Sequence, residues 1–223
     1  MRKVDAYPID SDILVLSGTS GAGKGAICTV LKTKEVKGRR VEVIRSVTNR
    51  ERRSHNDDYY FVSNEEFNYM VETGQFLEYN ASYSNHGYGT PLADIQRCIM
   101  SSSNTIPCLE IDRTGLDKIL REGKVNPLRV HSAFIIAPAS VVANRLLQRA
   151  TESKAEIVRR LRISMEEIKH LELYDAVIVN NHIDDTVENV LRAFEGSAIR
   201  FDFDIEKYCR EMDQIIRQLE EEA

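Results

Sequence analysis

A glycine-rich stretch near the start of the sequence limits the folds open to this chain more than any other feature. The apolar run 13–16 leads into Gly18-Thr19-Ser20-Gly21-Ala22-Gly23-Lys24, which fits the pattern G-x-x-x-x-G-K, and residues 24–34 can form a helix. A glycine pattern of this kind that lies between a strand and a helix marks a phosphate-binding loop. A chance glycine-rich turn is the alternative, and the flanking elements argue against it.

The loop suits the phosphates of a nucleoside triphosphate. Glycines let successive backbone N–H groups converge on phosphate oxygens, the helix N-terminus adds positive potential, and Lys24 supplies a point charge. Gly25 stands where Ser or Thr usually gives a hydroxyl to Mg²⁺. We therefore expect Mg²⁺ to be held mainly by phosphate oxygens and water.

Short apolar runs alternate with helical patterns along the rest of the chain. Runs lie at 106–111, 133–136 and 176–179, and the last two are followed by helical patterns at 140–150 and 186–194. Near-continuous apolar strands that alternate with helices favour a parallel sheet covered on both faces. The sequence predicts an α/β fold.

Three segments depart from this alternation. Residues 41–90 contain strand-like runs at 41–46, 59–62 and 76–81 with a helical stretch at 65–72, which predicts a small inserted lobe. Residues 145–162 carry a local charge of +4, which predicts a mobile basic lid. In the last segment, helical spacing predicts an amphipathic helix that packs on its own domain or pairs two copies of the chain. Its apolar residues are Ile205, Tyr208, Cys209, Met212, Ile215, Ile216 and Leu219.

Composition excludes several classes of protein. With 42% hydrophobic and 29% charged residues, the chain is typical of a folded protein, and its net charge of −5 argues against a general nucleic-acid binder. The sequence shows neither a signal peptide nor a run of about 18 apolar residues, so we expect no membrane segment. The four cysteines lack metal-ligand spacing, which favours a reducing, cytoplasmic setting.

Several dispersed motifs resemble the GMP-binding lobe of guanylate kinases. They are Ser46-Val47-Thr48-Asn49-Arg50-Glu51-Arg52-Arg53, Asp58-Tyr59-Tyr60-Phe61-Val62, Phe76-Leu77-Glu78-Tyr79 and Gly87-Tyr88-Gly89-Thr90. With the glycine loop before them and Arg149, Arg160 and Asn180 after them, the resemblance covers about residues 12–195 in matching order. It implies a P-loop NTPase fold with a central parallel sheet, a mixed α+β GMP-binding lobe and a helical lid. The implied reaction is MgATP + GMP giving ADP + GDP.

The chemistry of the acceptor motifs agrees with this resemblance. Arg50 and Arg53 can present planar donor forks to a phosphate dianion, and Tyr59 and Tyr88 can donate hydroxyl hydrogen bonds to it. A solvated basic loop is the alternative. Between Arg53 and Asp58 the chain has only residues 54–57, which is shorter than the corresponding loop of guanylate kinases.

A second group of residues suits the guanine base. One carboxylate can accept the N1–H and N2 donors while a hydroxyl donates to O6, and Glu78, Ser46 and Thr90 fit these roles. Adenine lacks both donors, so a buried Glu78 would be left unpaired against it. An exposed position on an edge strand is the alternative for Glu78. By resemblance Asp112 borders the acceptor nucleoside, although it could equally cap the next helix.

The resemblance also assigns residues around the donor. Lys24, Arg53, Arg149 and Arg160 match catalytic residues that stabilise charge on the transferred phosphoryl group. ATP contacts fall on residues 18–25 and on Asn180 and Asn181, and Asn181 departs from the family's Asp. For each lid arginine, a solvated helix charge is the alternative.

We expect a guanylate-kinase-like domain at 1–196 and a C-terminal helix at 197–223. The core would comprise 12–40, 91–144 and 173–196, the GMP-binding lobe 41–90 and the lid 145–172. Two other functions remain open: a related kinase with another phosphorylated acceptor, such as a ribose bisphosphate, and a non-catalytic protein-binding domain. Ser46, Glu78 and Thr90 argue against the first, and the retained Lys24, Arg149 and Arg160 argue against the second.

Overall fold

The computed structural model of this chain describes residues 11–52, 58–80, 86–100, 105–122, 128–148, 153–201 and 203–221. The larger of its two sheets contains six strands: β1 (Ser11–Gly18), β2 (Glu35–Val36), β3 (Arg39–Ile44), β8 (Thr105–Glu110), β9 (Leu128–Ile136) and β10 (Ala176–Val179). Their hydrogen-bonded order is β10-β9-β1-β8-β3-β2. Strands β9 and β10 run parallel, as do β3 and β8, whereas β2 pairs antiparallel with β3.

The smaller sheet contains four strands: β4 (Val47–Thr48), β5 (Tyr60–Phe61), β6 (Phe76–Asn80) and β7 (Tyr88–Pro91), in the order β5-β4-β7-β6. Helix α2 (Asn64–Glu72) packs on it, because its one fully buried residue, Phe67, forms a separate small core with Val47 and Phe76. The ring centroids of Phe67 and Phe76 are 5.1 Å apart.

The remaining helices follow the strands along the chain. They are α1 (Lys24–Leu31), α3 (Leu92–Met100), α4 (Arg113–Glu122), α5 (Ala139–Gln148), α6 (Lys154–Glu167), a 3₁₀ helix (Ile168–Leu173), α7 (Ile183–Phe194) and α8 (Ile205–Glu221). The predicted α/β fold with a mostly parallel central sheet is thereby confirmed. Each helix in the described ranges is too short or too polar to cross a lipid bilayer.

One predicted strand lies in a different sheet from the one we expected. The strand at 41–46, assigned above to the inserted lobe, corresponds to β3, which pairs with β8 in the larger sheet, with Val41 opposite Ile106. The local pattern indicates a strand but carries no information on its partner, which is about 65 residues further along the chain. The small sheet begins only at Val47.

The chain divides into two compact units. The first comprises the described residues of Met1–Val15 and Leu31–His131 and contains the small sheet; the second comprises those of Leu16–Val30 and Ser132–Ala223 and contains the glycine loop.

The predicted C-terminal amphipathic helix is confirmed as α8. Its buried residues are Tyr208, Met212, Ile216 and Leu219. The helix packs on α5 and α6 of its own unit. Of the two alternatives for this apolar stripe, the structure therefore supports packing within its own chain.

Candidate functional site

The glycine loop of the second unit connects β1 to α1 through backbone conformations that favour glycine. Gly21 and Gly23 have φ angles of 79° and 94°. A Cβ atom on Gly18 would lie 2.2 Å from the carbonyl oxygen of Ile135, and one on Gly23 would lie 2.7 Å from Nδ2 of Asn180. Side chains at these positions would therefore force the loop out of shape.

Lys24 opens helix α1 and lies over the loop. Its Nζ atom donates hydrogen bonds to the carbonyl oxygens of Gly18, at 2.7 Å, and Thr19, at 3.2 Å. The first N–H groups of a helix have no partner within the helix, and they add positive potential at the same end. The loop thus combines an ammonium group with a helix N-terminus, which is a favourable setting for phosphate oxygens.

Asn180 supports the loop from the end of β10. Its Nδ2 atom donates to the carbonyl oxygen of Ala22 at 2.7 Å, and its Oδ1 atom accepts a hydrogen bond from Thr186 Oγ1 at 3.0 Å. The side chain is 2% exposed. The amide therefore holds the loop in place, and the predicted contact with the donor base stays a prediction. Asn181 is exposed.

Two further loop contacts come from residues that our sequence analysis did not select as site residues. Arg145 on α5 donates to the carbonyl oxygen of Gly21 at 3.1 Å. The N–H of Ser20 donates to Oγ of Ser164 on α6 at 3.0 Å. Arg145 belongs to the basic segment 145–162, which stands out in the sequence by its charge. Ser164 is a serine within a helix, and nothing in the local sequence sets it apart.

The predicted lid corresponds in part to α6. The helix begins after Ser153, whose side chain accepts a hydrogen bond from the N–H of Glu156, and Arg160 is half-buried on it. Arg149 lies outside the described residues, and so does Arg53 on the acceptor side. The described part of the second unit thus includes Lys24 and Arg160 of the four predicted catalytic residues.

In the first unit, three of the predicted phosphate ligands lie together on the small sheet. The guanidinium of Arg50 lies over the rings of Tyr59 and Phe61, 4.9 Å and 5.4 Å from their centroids. The rings of Tyr59 and Tyr88 are in edge-to-face contact, with their centroids 5.8 Å apart. Arg50 is only 6% exposed, so it is not the solvated surface charge that we considered as the alternative.

The two residues predicted to recognise the base lie on neighbouring strands. Glu78 on β6 lies opposite Thr90 on β7, and Oγ1 of Thr90 donates to Oε1 of Glu78 at 2.7 Å. The two residues are 6% and 1% exposed. Glu78 is therefore buried, and the alternative of an exposed edge position is wrong. Ser46 is half-buried after β3, and its carbonyl oxygen accepts from the N–H of Tyr60 at 2.9 Å.

The surroundings of Glu78 favour its neutral form. Burial, together with the negative charge of Asp112, raises the pKa of Glu78 to about 7, although the Thr90 hydrogen bond and the positive charge of Lys118 act in the opposite direction. Helix α4 lies close to this carboxyl, as Gly115 shows: a Cβ atom on it would lie 2.7 Å from Glu78 Oε2. Glu78 is therefore a buried acceptor whose charge a ligand can change.

Asp112 caps helix α4. Its Oδ1 atom accepts from the N–H of Gly115 and its Oδ2 atom accepts from Nδ2 of Asn80, both at 2.8 Å. The capping alternative is therefore confirmed, and Asp112 also lies close enough to Glu78 for its charge to raise the pKa of that carboxyl. The sequence did not indicate Asn80 and Lys118 as site residues. Their roles depend on the packing of α4 against β6, which local sequence does not show.

Comparison with known proteins agrees with this arrangement. The sequence model of the guanylate kinase family matches residues 10–197. A guanylate kinase of Clostridioides difficile is 36% identical over 209 residues, which cover 90% of this chain and 97% of the relative. One from Mycoplasmoides gallisepticum is 35% identical over 182 residues, covering 80% and 89%.

A solved structure shows the same relationship in three dimensions. The crystal structure of a guanylate kinase from Anaplasma phagocytophilum matches 86% of this chain and 88% of its own, with 25% sequence identity and a TM-score of 0.57. The family match and the two relatives cover most of this chain, and the glycine loop and the candidate acceptor residues both lie within the matched residues. The chain therefore belongs to the guanylate kinase family.

Proposed function

We propose that this protein transfers the γ-phosphoryl group of MgATP to GMP, giving ADP and GDP. Family membership supports the reaction class. The observation that carries the choice of acceptor is the burial of the Glu78 carboxyl, which accepts a hydrogen bond from Thr90. Guanine offers two donors on one edge to such an acceptor, whereas adenine would leave it unpaired.

The predicted residues divide into three groups in this reaction. Arg50, Tyr59 and Tyr88 bind the acceptor phosphate, while Glu78, Thr90 and Ser46 hold the guanine. Lys24 and the amide groups of residues 18–25 hold the donor phosphates. Transfer needs positioning and charge stabilisation and no covalent nucleophile, which are the tasks assigned to Arg53, Arg149 and Arg160. The arginine assignments rest on the family resemblance.

The donor enters as a MgATP complex. Gly25 has no side chain to offer the metal, and no group of three or more His, Cys, Asp or Glu in the described ranges is arranged to hold one. The donor set of the loop, amide and ammonium groups, suits phosphate oxygens. Phosphate oxygens and water therefore supply the Mg²⁺ ligands in our proposal.

The remaining assignments are also proposals. We retain a guanylate-kinase-like domain at 1–196, with a GMP-binding lobe and a lid at 145–172, followed by the C-terminal helix. We also place the protein in the cytoplasm, since all four cysteines carry free thiols, as expected in a reducing compartment.

Steady-state ADP production tests the proposed reaction. The assay supplies MgATP with GMP, dGMP, AMP, CMP, UMP or a ribose bisphosphate as acceptor, and uses Lys24→Ala as the inactive control. We expect turnover with GMP that falls at least a hundredfold in Lys24→Ala. Turnover with a ribose bisphosphate alone would show that the acceptor is wrong. Absence of turnover with every acceptor, together with absence of MgATP binding, would favour a binding module.

A further inference from the structure

Helix α8 lies beyond residue 197, where the family match ends. Three of its four buried residues, Met212, Ile216 and Leu219, supply apolar surface for packing on α5 and α6. The fourth, Tyr208, is 3% exposed and carries a hydroxyl group into the interior. Phenylalanine would pack as well without burying a polar atom, so the hydroxyl calls for a separate explanation.

The Tyr208 hydroxyl faces the glycine loop. Burial raises the pKa of Tyr208 to about 12, and the hydroxyl of Thr19 acts against this rise as a neighbouring hydrogen-bonding group. Yet within the described ranges Tyr208 Oη and Thr19 Oγ1 both lack a hydrogen bond of normal geometry, as does Ser20 Oγ. Three buried hydroxyl groups therefore lie unpaired on, or against, residues 19 and 20.

The backbone around these hydroxyl groups is already held. The N–H of Thr19 donates to the carbonyl oxygen of Ile135, and the carbonyl oxygen of Thr19 accepts from the N–H of Ala22, both at 3.1 Å. The N–H of Ser20 donates to Ser164 Oγ. Both backbone polar groups of Thr19 are therefore paired, whereas its hydroxyl is not.

An unpaired buried hydroxyl is unfavourable, and two facing hydroxyls can serve each other as donor and acceptor. A small shift of the loop toward α8 would pair Tyr208 with Thr19. A bond that forms only in the phosphate-binding conformation stabilises that conformation relative to the free one, and this raises affinity for phosphate.

We propose that Tyr208 is a positioning residue for the donor, whose hydroxyl bonds to Thr19 Oγ1 when the loop adopts its phosphate-binding conformation. Helix α8 thereby contributes to affinity for the triphosphate without touching it. The inference rests on the proposed function, because it requires a nucleoside triphosphate at this loop.

A double-mutant cycle on the full-length protein tests this role. The dissociation constant of MgATP is measured by titration calorimetry for the wild type, Tyr208→Phe, Thr19→Val and the double variant, and KM values for MgATP and GMP are measured in parallel. Tyr174→Phe is the matched control, since Tyr174 is also a buried tyrosine of this unit but packs on Phe134, with ring centroids 4.9 Å apart.

We expect Tyr208→Phe to weaken MgATP binding about fivefold and to raise KM for MgATP alike. Its kcat, its KM for GMP and its thermal midpoint should stay at wild-type values. The double variant should bind MgATP no more weakly than Thr19→Val, because both changes remove the same bond. Tyr174→Phe should match the wild type in MgATP affinity.

Three results would overturn the inference while leaving the proposed function intact. They are wild-type MgATP affinity in Tyr208→Phe, additive effects of the two single changes, and equal increases in KM for MgATP and GMP with a lowered thermal midpoint, which would indicate a packing role only. Failure of the wild-type protein itself to bind MgATP would overturn both proposals together.

Discussion

At the scale of single residues, the carboxyl group of Glu78 has the environment with the clearest chemical consequences. Glu78 is buried on β6 and accepts a hydrogen bond from Thr90. It also lies close enough to Asp112 for the charge of that residue to raise its pKa. Guanine would donate to the ionised form. Binding of GMP should therefore pull a proton off Glu78 near neutral pH.

This linkage predicts a pH dependence of GMP affinity. With the pKa of Glu78 at about 7 in the free protein, only about a tenth of the molecules carry the ionised form at pH 6, and about nine tenths carry it at pH 8. We expect the dissociation constant of GMP to fall about tenfold between these values. Calorimetry at pH 7 in buffers of different ionisation enthalpy should show proton release on binding. The control is Glu78→Gln, which shares the phosphate titration of GMP but should lack this release; equal proton release in both proteins would contradict the assignment.

The same carboxyl predicts a pH dependence of stability. Because the folded pKa of Glu78 is raised from 4.5 to about 7, its favourable contribution is complete below pH 4.5 and is lost as the pH rises through 7. The loss amounts to about 3 kcal/mol when fully developed. The stability advantage of Glu78→Gln over the wild type, measured by urea unfolding, should grow between pH 4.5 and 7 and stay constant above that. A pH-independent difference would show that Glu78 is not protonated in this range.

Replacement of Asn180 distinguishes two roles of its amide, support of the glycine loop and contact with the donor base. Because it holds Ala22 and accepts from Thr186, Asn180→Ala should weaken MgATP and MgGTP binding equally, by about tenfold. A contact with the adenine base would instead make the loss larger for MgATP. Equilibrium titrations with both nucleotides separate these outcomes, and Asn181→Ala, at an exposed position, should leave both affinities unchanged.

At the scale of elements, local pattern was sufficient where a strand or helix has one apolar surface and a clear terminus. The run 176–179 coincides with β10, and the helical spacing of the last segment coincides with α8. The hairpin of β2 and β3 was missed, because β2 has only two residues and its turn depends on positive φ angles at Lys37 and Gly38. Strand β3 was found but was assigned to the wrong sheet, since pairing is set by distant contacts.

The candidate site shows the same division. Residue type and motif order were sufficient to select Lys24, Glu78, Thr90, Arg50 and the tyrosines, whose roles stay predictions. The supporting residues could not be selected in this way: Ser164 and Asn80 form hydrogen bonds with residues far away in the sequence, and Thr186 bonds to Asn180 from the first turn of α7. Their neighbours in sequence say nothing about these contacts. Asp112 combines both cases, since a helix cap was one of two interpretations and the structure adds its bond to Asn80.

Helix α2 offers a prediction about an element that carries no site residue. Ser63 Oγ accepts from the N–H of Glu66 at 3.1 Å, while Glu66 Oε2 accepts from the N–H of Ser63 at 2.8 Å, which completes a capping box. Ser63→Ala should lower the free energy of unfolding by about 1 kcal/mol with KM for GMP unchanged. Ser63→Asp retains an acceptor and should lose less. A change in KM for GMP would link this cap to the acceptor site.

At the scale of the whole molecule, an acidic chain carries local clusters of basic residues. The net charge of −5 coexists with a charge of +4 at residues 145–162 and with Arg50, Arg52 and Arg53 in the acceptor motif. Such a distribution suits phosphorylated small molecules better than nucleic acids, which require a broad positive surface.

The central claim, direct transfer of phosphate between two nucleotides, can be followed by ³¹P NMR. In a mixture of the protein, MgATP and GMP, the account predicts that the γ-phosphate signal of ATP declines while the β-phosphate signals of ADP and GDP grow in equal amounts. The Lys24→Ala variant should leave the spectrum unchanged. Release of inorganic phosphate in place of GDP, or an unchanged spectrum with the wild-type protein, would contradict the account.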